Sequence, residues 1–467
     1  MRPVGVLAEC LDHVSNRSAP PLWAAGADRL DAEHRHLQAL VRDPAVRVYG
    51  ANTLMGHRDA ETIPNPEAMT AEILRTHAIA APPWHDRHTA RCIGYAKLYS
   101  WAAGLSGVSP ELFEGVSELV TREDFNPQVP VGASYSCGDV IPASHWAKAV
   151  LDELSRSGFH EVRPGEAMAL INGSFVHVGL AVAMVSNLQR TSALAVEAAA
   201  LFHSAALANP SNLYFVATAE RAWASKAVRY VADRSRRSLA ATGTQDPVSL
   251  RAIPQVLETW SDAVGDFLGE LNYLLFKPSC NPFIDERYAF PISQASFLAP
   301  TLSVKTGGVI EAALFLMWAL LGWTSHLLSG RVPDIPRDGS TAASPLGQIQ
   351  RPKLMTAICE KARMDLGRRT FAAGSDTSYG IEDIWTNGVF TLAQLKCALD
   401  ALESMFCQSV WTIRRLADDF GLARVAGSEL LDACAGCSTS AEAAERLSAA
   451  LREGCPREAH QLFWNGR

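Results

Sequence analysis

Two stretches of this chain are apolar along too much of their length to lie on a surface with one side in water. Residues 180–207 are rich in Ala, Leu and Val, broken by Asn187, Gln189 and Arg190, and residues 309–328 contain the run AALFLMWALLGW from Ala312 to Trp323. A helix that is apolar all round needs cover all round. The run is shorter than the ~20 residues that cross a bilayer, so it reads as a buried helix. Residues 253–276, 392–420 and 441–452 also carry helical spacing, the last with Ser440 as N-cap and Gly454 as stop. Strand patterns are scarce. The expectation is a mainly α protein, a long central helical bundle whose outer faces are covered by other subunits. A smaller mixed N-terminal region precedes it, with Val46 to Tyr49 as a short strand leading into a Gly/Asn/Thr turn. The expected regions are 1–145, 146–420 and a C-terminal helical segment, 421–467.

Composition narrows the function classes. Hydrophobic residues make up 48% and charged residues 19% of 467, enough for a sizeable core. A net charge of −7 gives no reason to expect nucleic acid or a membrane as partner. The N-terminus lacks an apolar signal core, and the ten cysteines are scattered. Both fit a cytoplasmic protein with reduced thiols. Cys434 and Cys437 form a single CxxC without the second pair that a zinc site needs, so no metal is expected.

The stretch GASYSCGDVIP, residues 132–142, carries the chemistry. Gly138 has no Cβ, so its amide nitrogen can approach the Ser136 carbonyl carbon two residues back. Attack closes a five-membered ring around Cys137. Loss of water, then of the Cys137 sulfur as hydrogen sulfide, leaves an exocyclic methylidene, an electrophile made from the chain itself. The alternative is a loop holding an ordinary thiol.

This loop resembles that of the histidine/phenylalanine/tyrosine ammonia-lyase family, which carries a 4-methylidene-imidazol-5-one (MIO) formed from Ala-Ser-Gly. Further blocks are similar to family segments and stand in the family order: VYGANTLMG (48–56), ALING (169–173), TQDPVSLRAIPQV (244–256), NPF (281–283) and SYGIEDIWTNG (378–388). The resemblance covers residues 45–420 and implies the ammonia-lyase-like helical fold, a homotetramer with active sites shared between chains, and an amino acid substrate. It implies MIO from Ser136-Cys137-Gly138, Tyr49 as the base for the β-proton, and Glu382 near the substrate amine or ring. It also implies Arg251 on the carboxylate, Asn172 and Gln245 on the MIO or substrate, and Asn281 polarising the MIO carbonyl. His77, after Thr76, matches a substrate-contacting histidine of histidine ammonia-lyases and points to a histidine-like, polar or aromatic side chain. Cys137, Val248, Leu54 and Met55 replace the family's Ser, Tyr, Gly and Phe. The expected activity is ammonia elimination from an α-amino acid. The other readings are an aminomutase, the same fold without MIO using Cys137 as a thiol, and a non-catalytic binding or assembly partner.

Overall fold

The computed structural model describes residues 5–20, 24–158, 162–214, 222–235, 245–366, 374, 377–454, 456 and 459. Thr244, at the start of the 244–256 block, Cys455 and most of the tail after Gly454 lie outside them. The described residues are mainly helical. The long stretches expected from apolar spacing form helices Phe175–Ala205, Ile253–Leu275, Pro300–Leu327 and Gly388–Phe420. The last long helix, Ser440–Arg452, is capped by the Thr439 side chain, which accepts from Glu442 N, so the cap falls one residue before Ser440.

The expected strand at Val46 to Tyr49 does not form. Asn52 takes the backbone groups a strand partner would use: its Oδ1 accepts from Val48 N at 2.7 Å and its Nδ2 donates to Val46 O at 2.9 Å. The segment closes as a turn. Among the described residues there are isolated β-bridges, as at Tyr49 and Thr53, and no sheet.

The chain packs as two compact units, each drawn from three separate stretches. The first comprises residues 1–184, 267–306 and 370–393; the second comprises 185–266, 307–369 and 394–467. The longest helices contribute residues to both units.

Within the first unit, helices approach to backbone distance. A Cβ on Gly179 would stand 2.4 Å from Ile93 Cα, so only glycine lets the Phe175–Ala205 helix meet the Arg87–Ala102 helix here. The Pro66–His77 helix packs on Val140–Arg156, and Trp146 meets the edge of Phe175 at 5.6 Å. Glu166, fully buried, accepts from Ser109 N and Arg163 N, both at 2.8 Å, which satisfies a carboxylate water cannot reach.

The second unit has its own core. Trp260 Nε1 donates to Ser192 Oγ at 2.8 Å, Phe202 packs on Trp323 at 5.5 Å, and Trp323 Nε1 donates to Ser249 O. Buried Glu197 is held by the Tyr230 hydroxyl at 2.7 Å and Arg234 at 2.9 Å. Segments 166–205 and 300–327 are long and apolar enough to cross a membrane by length and composition. The first is 89% buried within the protein over its most apolar window, as a core helix is. The second reaches that length because the helix starts earlier than the apolar run, at Pro300.

Candidate active site

The loop before the Val140–Arg156 helix has an unusual backbone. Ser136, Gly138 and Asp139 all have positive φ, 64°, 83° and 51°. For the two residues with a Cβ this costs about 1–2 kcal/mol each, so the surroundings must hold it. Asp139 stands at the helix N-cap yet makes no side-chain cap. Its carboxylate is spent elsewhere. Oδ1 accepts from Ser134 Oγ at 2.6 Å, and Oδ2 accepts from His177 Nδ1 at 2.5 Å and His177 N at 3.2 Å. Ser134 Oγ accepts in turn from Ser136 N at 2.9 Å.

The segment after Glu382 straps the loop from the other side. Thr386 Oγ1 donates to Ser136 O at 3.3 Å, Val389 N to Ser136 Oγ at 3.0 Å, and Asn387 N to Tyr135 O at 2.9 Å. Gly388 makes this possible, since a Cβ there would lie 3.3 Å from Ser136 Oγ and 3.4 Å from the His177 ring.

Burial favours the neutral form of the Asp139 carboxyl, but the His177 charge and the bonds from His177 and Ser134 outweigh it and hold its pKa below the ordinary value. Asn172 packs against the far side of the loop. Its Nδ2 is 3.3 Å from where a Gly138 Cβ would stand, and its buried Oδ1 has no partner. Behind it Lys97, fully buried, donates to Asn172 O at 3.1 Å and lies over the Phe175 ring at 4.0 Å. Burial brings that amine down to about 7.

Around Cys137 stand two phenols and a carboxylate. Tyr135 OH donates to Glu382 Oε2 at 2.7 Å, and Thr377 Oγ1 reaches the same oxygen at 3.3 Å. Tyr49 OH accepts from Gly56 N at 2.9 Å. Burial, then the charges of Glu382, Asp59 and Cys137, raise the Tyr49 phenol above its ordinary value despite the Gly56 bond. Burial and the carboxylates of Glu382, Asp139 and Asp383 push the Cys137 thiol up to about 12.

The structure thus brings together Tyr49, Ser136, Cys137, Gly138, Asn172 and Glu382 in the first unit. Asn281, also in this unit, shares a small cavity with Tyr49, Val48, Met168 and Cys280, and its Oδ1 accepts from Gln294 N at 3.0 Å. His77 ends its own helix, with Nδ1 on Ile73 O at 2.6 Å. Gln245 and Arg251 belong to the second unit, where both are exposed. Tyr135, His177, Thr386 and Lys97 were not legible as site residues. Their only signal was local: an aromatic inside the loop, a histidine in an apolar helix and the single lysine of the Arg87–Ala102 helix. Among the described residues no cluster of His, Cys, Asp and Glu could hold a metal ion.

A mainly helical chain with a strained small-Cys-Gly loop facing phenols and a carboxylate defines the class of protein to which the comparisons point. The family described as aromatic amino acid lyase matches residues 10–453, and the chain belongs to it. The chain is 26% identical over 305 residues to a probable histidine ammonia-lyase of Halobacterium salinarum, covering 59% of this chain and 57% of that protein. It is 28% identical over 285 residues to histidine ammonia-lyase of Streptomyces griseus, covering 54% and 55%. The matches therefore span little more than half the length of these relatives. In fold, the chain is similar to an ergothionase from Treponema denticola, with TM-score 0.85, 15% identity and 98% of each chain covered. It is also similar to tyrosine aminomutase from Streptomyces globisporus, with TM-score 0.82, 18% identity and 98% and 97% covered.

The Asp139 carboxylate yields a prediction. Asp139→Asn breaks a buried pair and should cost about 3 kcal/mol in denaturant unfolding at neutral pH. Because the folded carboxyl titrates below its unfolded value of ~3.9, its stabilisation is whole above that pH and is lost as pH falls through the folded value. The gap between wild type and variant should close below about pH 4. A gap unchanged by acid would show that the ionised carboxylate does not brace the loop.

Proposed function

We propose that this chain eliminates ammonia from an α-amino acid with a histidine-like, polar or aromatic side chain, using an MIO formed from Ser136-Cys137-Gly138. The observation that carries this reading is the loop itself. The turn is held in the left-handed region at Ser136 and Gly138, and its Ser136 carbonyl accepts a hydrogen bond from Thr386. Those features fit the group. The Thr386 hydroxyl polarises the carbonyl that must be attacked, Gly138 is the unhindered nitrogen, and Cys137 carries a sulfur that can leave. When formed, MIO supplies an electrophilic methylidene carbon. Ser136, Gly138 and Asn172 would hold it.

The residues around it have separable tasks. Tyr49 takes the substrate β-proton. Glu382 receives the ammonium, which brings positive charge near the Tyr49 phenol and favours its ionisation. Arg251, exposed on its own chain, offers a planar fork to the carboxylate of a substrate in a neighbouring copy. The thiol reading is weaker, because a cysteine held up at about 12 is almost wholly protonated at neutral pH and is a poor nucleophile. A homotetramer is part of the proposal: Val304, Phe315 and Trp318 are exposed along the apolar Pro300–Leu327 helix. The nine described cysteines are free thiols, in keeping with work in the cytoplasm.

The proposal has three tests. Full-length mass should be lower than the sequence mass by one water and one hydrogen sulfide. Cys137→Ser should instead lose two waters and keep activity, and Cys137→Ala should form no methylidene and be inactive. An unmodified wild-type mass with an inactive Ser variant would sink the MIO reading. Tyr49→Phe should lower kcat by about 10²–10⁴-fold. Since the base works deprotonated and its pKa is raised, wild-type kcat/KM should climb towards alkaline pH and the Phe variant should lose that rise; wild-type rates in the variant would make Tyr49 structural. Light scattering at micromolar concentration should give four chains per particle, and a monomer would remove the shared-site arrangement.

A further inference from the structure

Tyr135 is fixed at three points, more than a loop aromatic needs for packing. Its carbonyl accepts from Asn387 N at 2.9 Å, its ring leans on Trp385 at 4.9 Å, and its hydroxyl donates to Glu382 Oε2 at 2.7 Å. Glu382 is held from behind as well. Thr377 Oγ1 lies 2.9 Å from Glu382 O and 3.3 Å from Oε2, and the Thr377 and Glu382 backbones pair. Oε2 thus takes the Tyr135 proton, while the Thr377 proton goes to the nearer Glu382 carbonyl.

We propose that Tyr135 is a positioning residue for substrate recognition: its hydroxyl fixes the Glu382 carboxylate through Oε2 so that the other oxygen, Oε1, meets the ammonium of the incoming amino acid beside Cys137. This rests on the lyase reading above. A carboxylate on a flexible stem pays rotamer entropy each time it binds a cation, and a pre-set one does not. A charged acceptor also makes the phenol bond stronger than a neutral pair. The burial that sets the Tyr135 phenol up at about 12, reinforced by Glu382, keeps the donor proton in place through the neutral range.

The test is a double-mutant cycle in the full-length protein with L-histidine and L-phenylalanine as probes. The readout is kcat/KM, with Kd by calorimetry where a variant turns over too slowly. Tyr135→Phe keeps the ring on Trp385 and removes the hydroxyl. It should raise KM or Kd about tenfold, with thermal midpoint and the intact-mass loss of the loop unchanged. In a Glu382→Gln background the same substitution should change binding less than twofold, because the carboxylate it orients is gone. Equal effects in both backgrounds, or wild-type binding by Tyr135→Phe alone, would overturn the positioning role and leave the lyase reading standing. Failure of the wild-type protein to bind or convert either amino acid would overturn both.

Discussion

The candidate site depends on one buried carboxylate that declines its local task. An aspartate at a helix N-cap ordinarily accepts from the first-turn amides. Asp139 leaves them and ties Ser134 to His177, itself 38 residues further along the chain than Asp139. That choice lets Ser136, Gly138 and Asp139 remain left-handed, with Gly138 pressed towards Asn172. The loop is therefore anchored to the start of the Phe175–Ala205 helix, which packs at backbone distance from Ile93 through Gly179. Strain in the loop is held by rigidity in the core.

The electrostatics follow from the same burial. Tyr49, Tyr135 and Cys137 each have their neutral form favoured, first by desolvation and then by Glu382. Each acidic proton is therefore held through the neutral range. The same bias works against a free thiolate at Cys137. The carboxylate that creates this bias is also the one the loop's own tyrosine holds.

Much of the fold was legible because long apolar helices announce themselves by period and length. The boundaries that moved did so for local reasons: the Asn52 side chain replaced a strand partner, and Thr439 displaced Ser440 as cap. Tyr49, Asn172, Cys137 and Glu382 were legible because each lies in a short block whose residues stay adjacent in the chain. Gln245 and Arg251 came from blocks of the same kind, yet folding places them in the other compact unit.

By itself the sequence determined the helical class, the Ser136-Cys137-Gly138 tripeptide and the family blocks, since those depend on residues a few positions apart. Only the tertiary structure decided what surrounds the loop. The Tyr135 bond to Glu382 spans 247 residues and the Thr386 bond to Ser136 spans 250. No local pattern encodes such pairs. They arise because packing the long helices brings the 377–389 segment over the loop, and because buried hydroxyls and carboxylates there must find partners in each other when water is excluded.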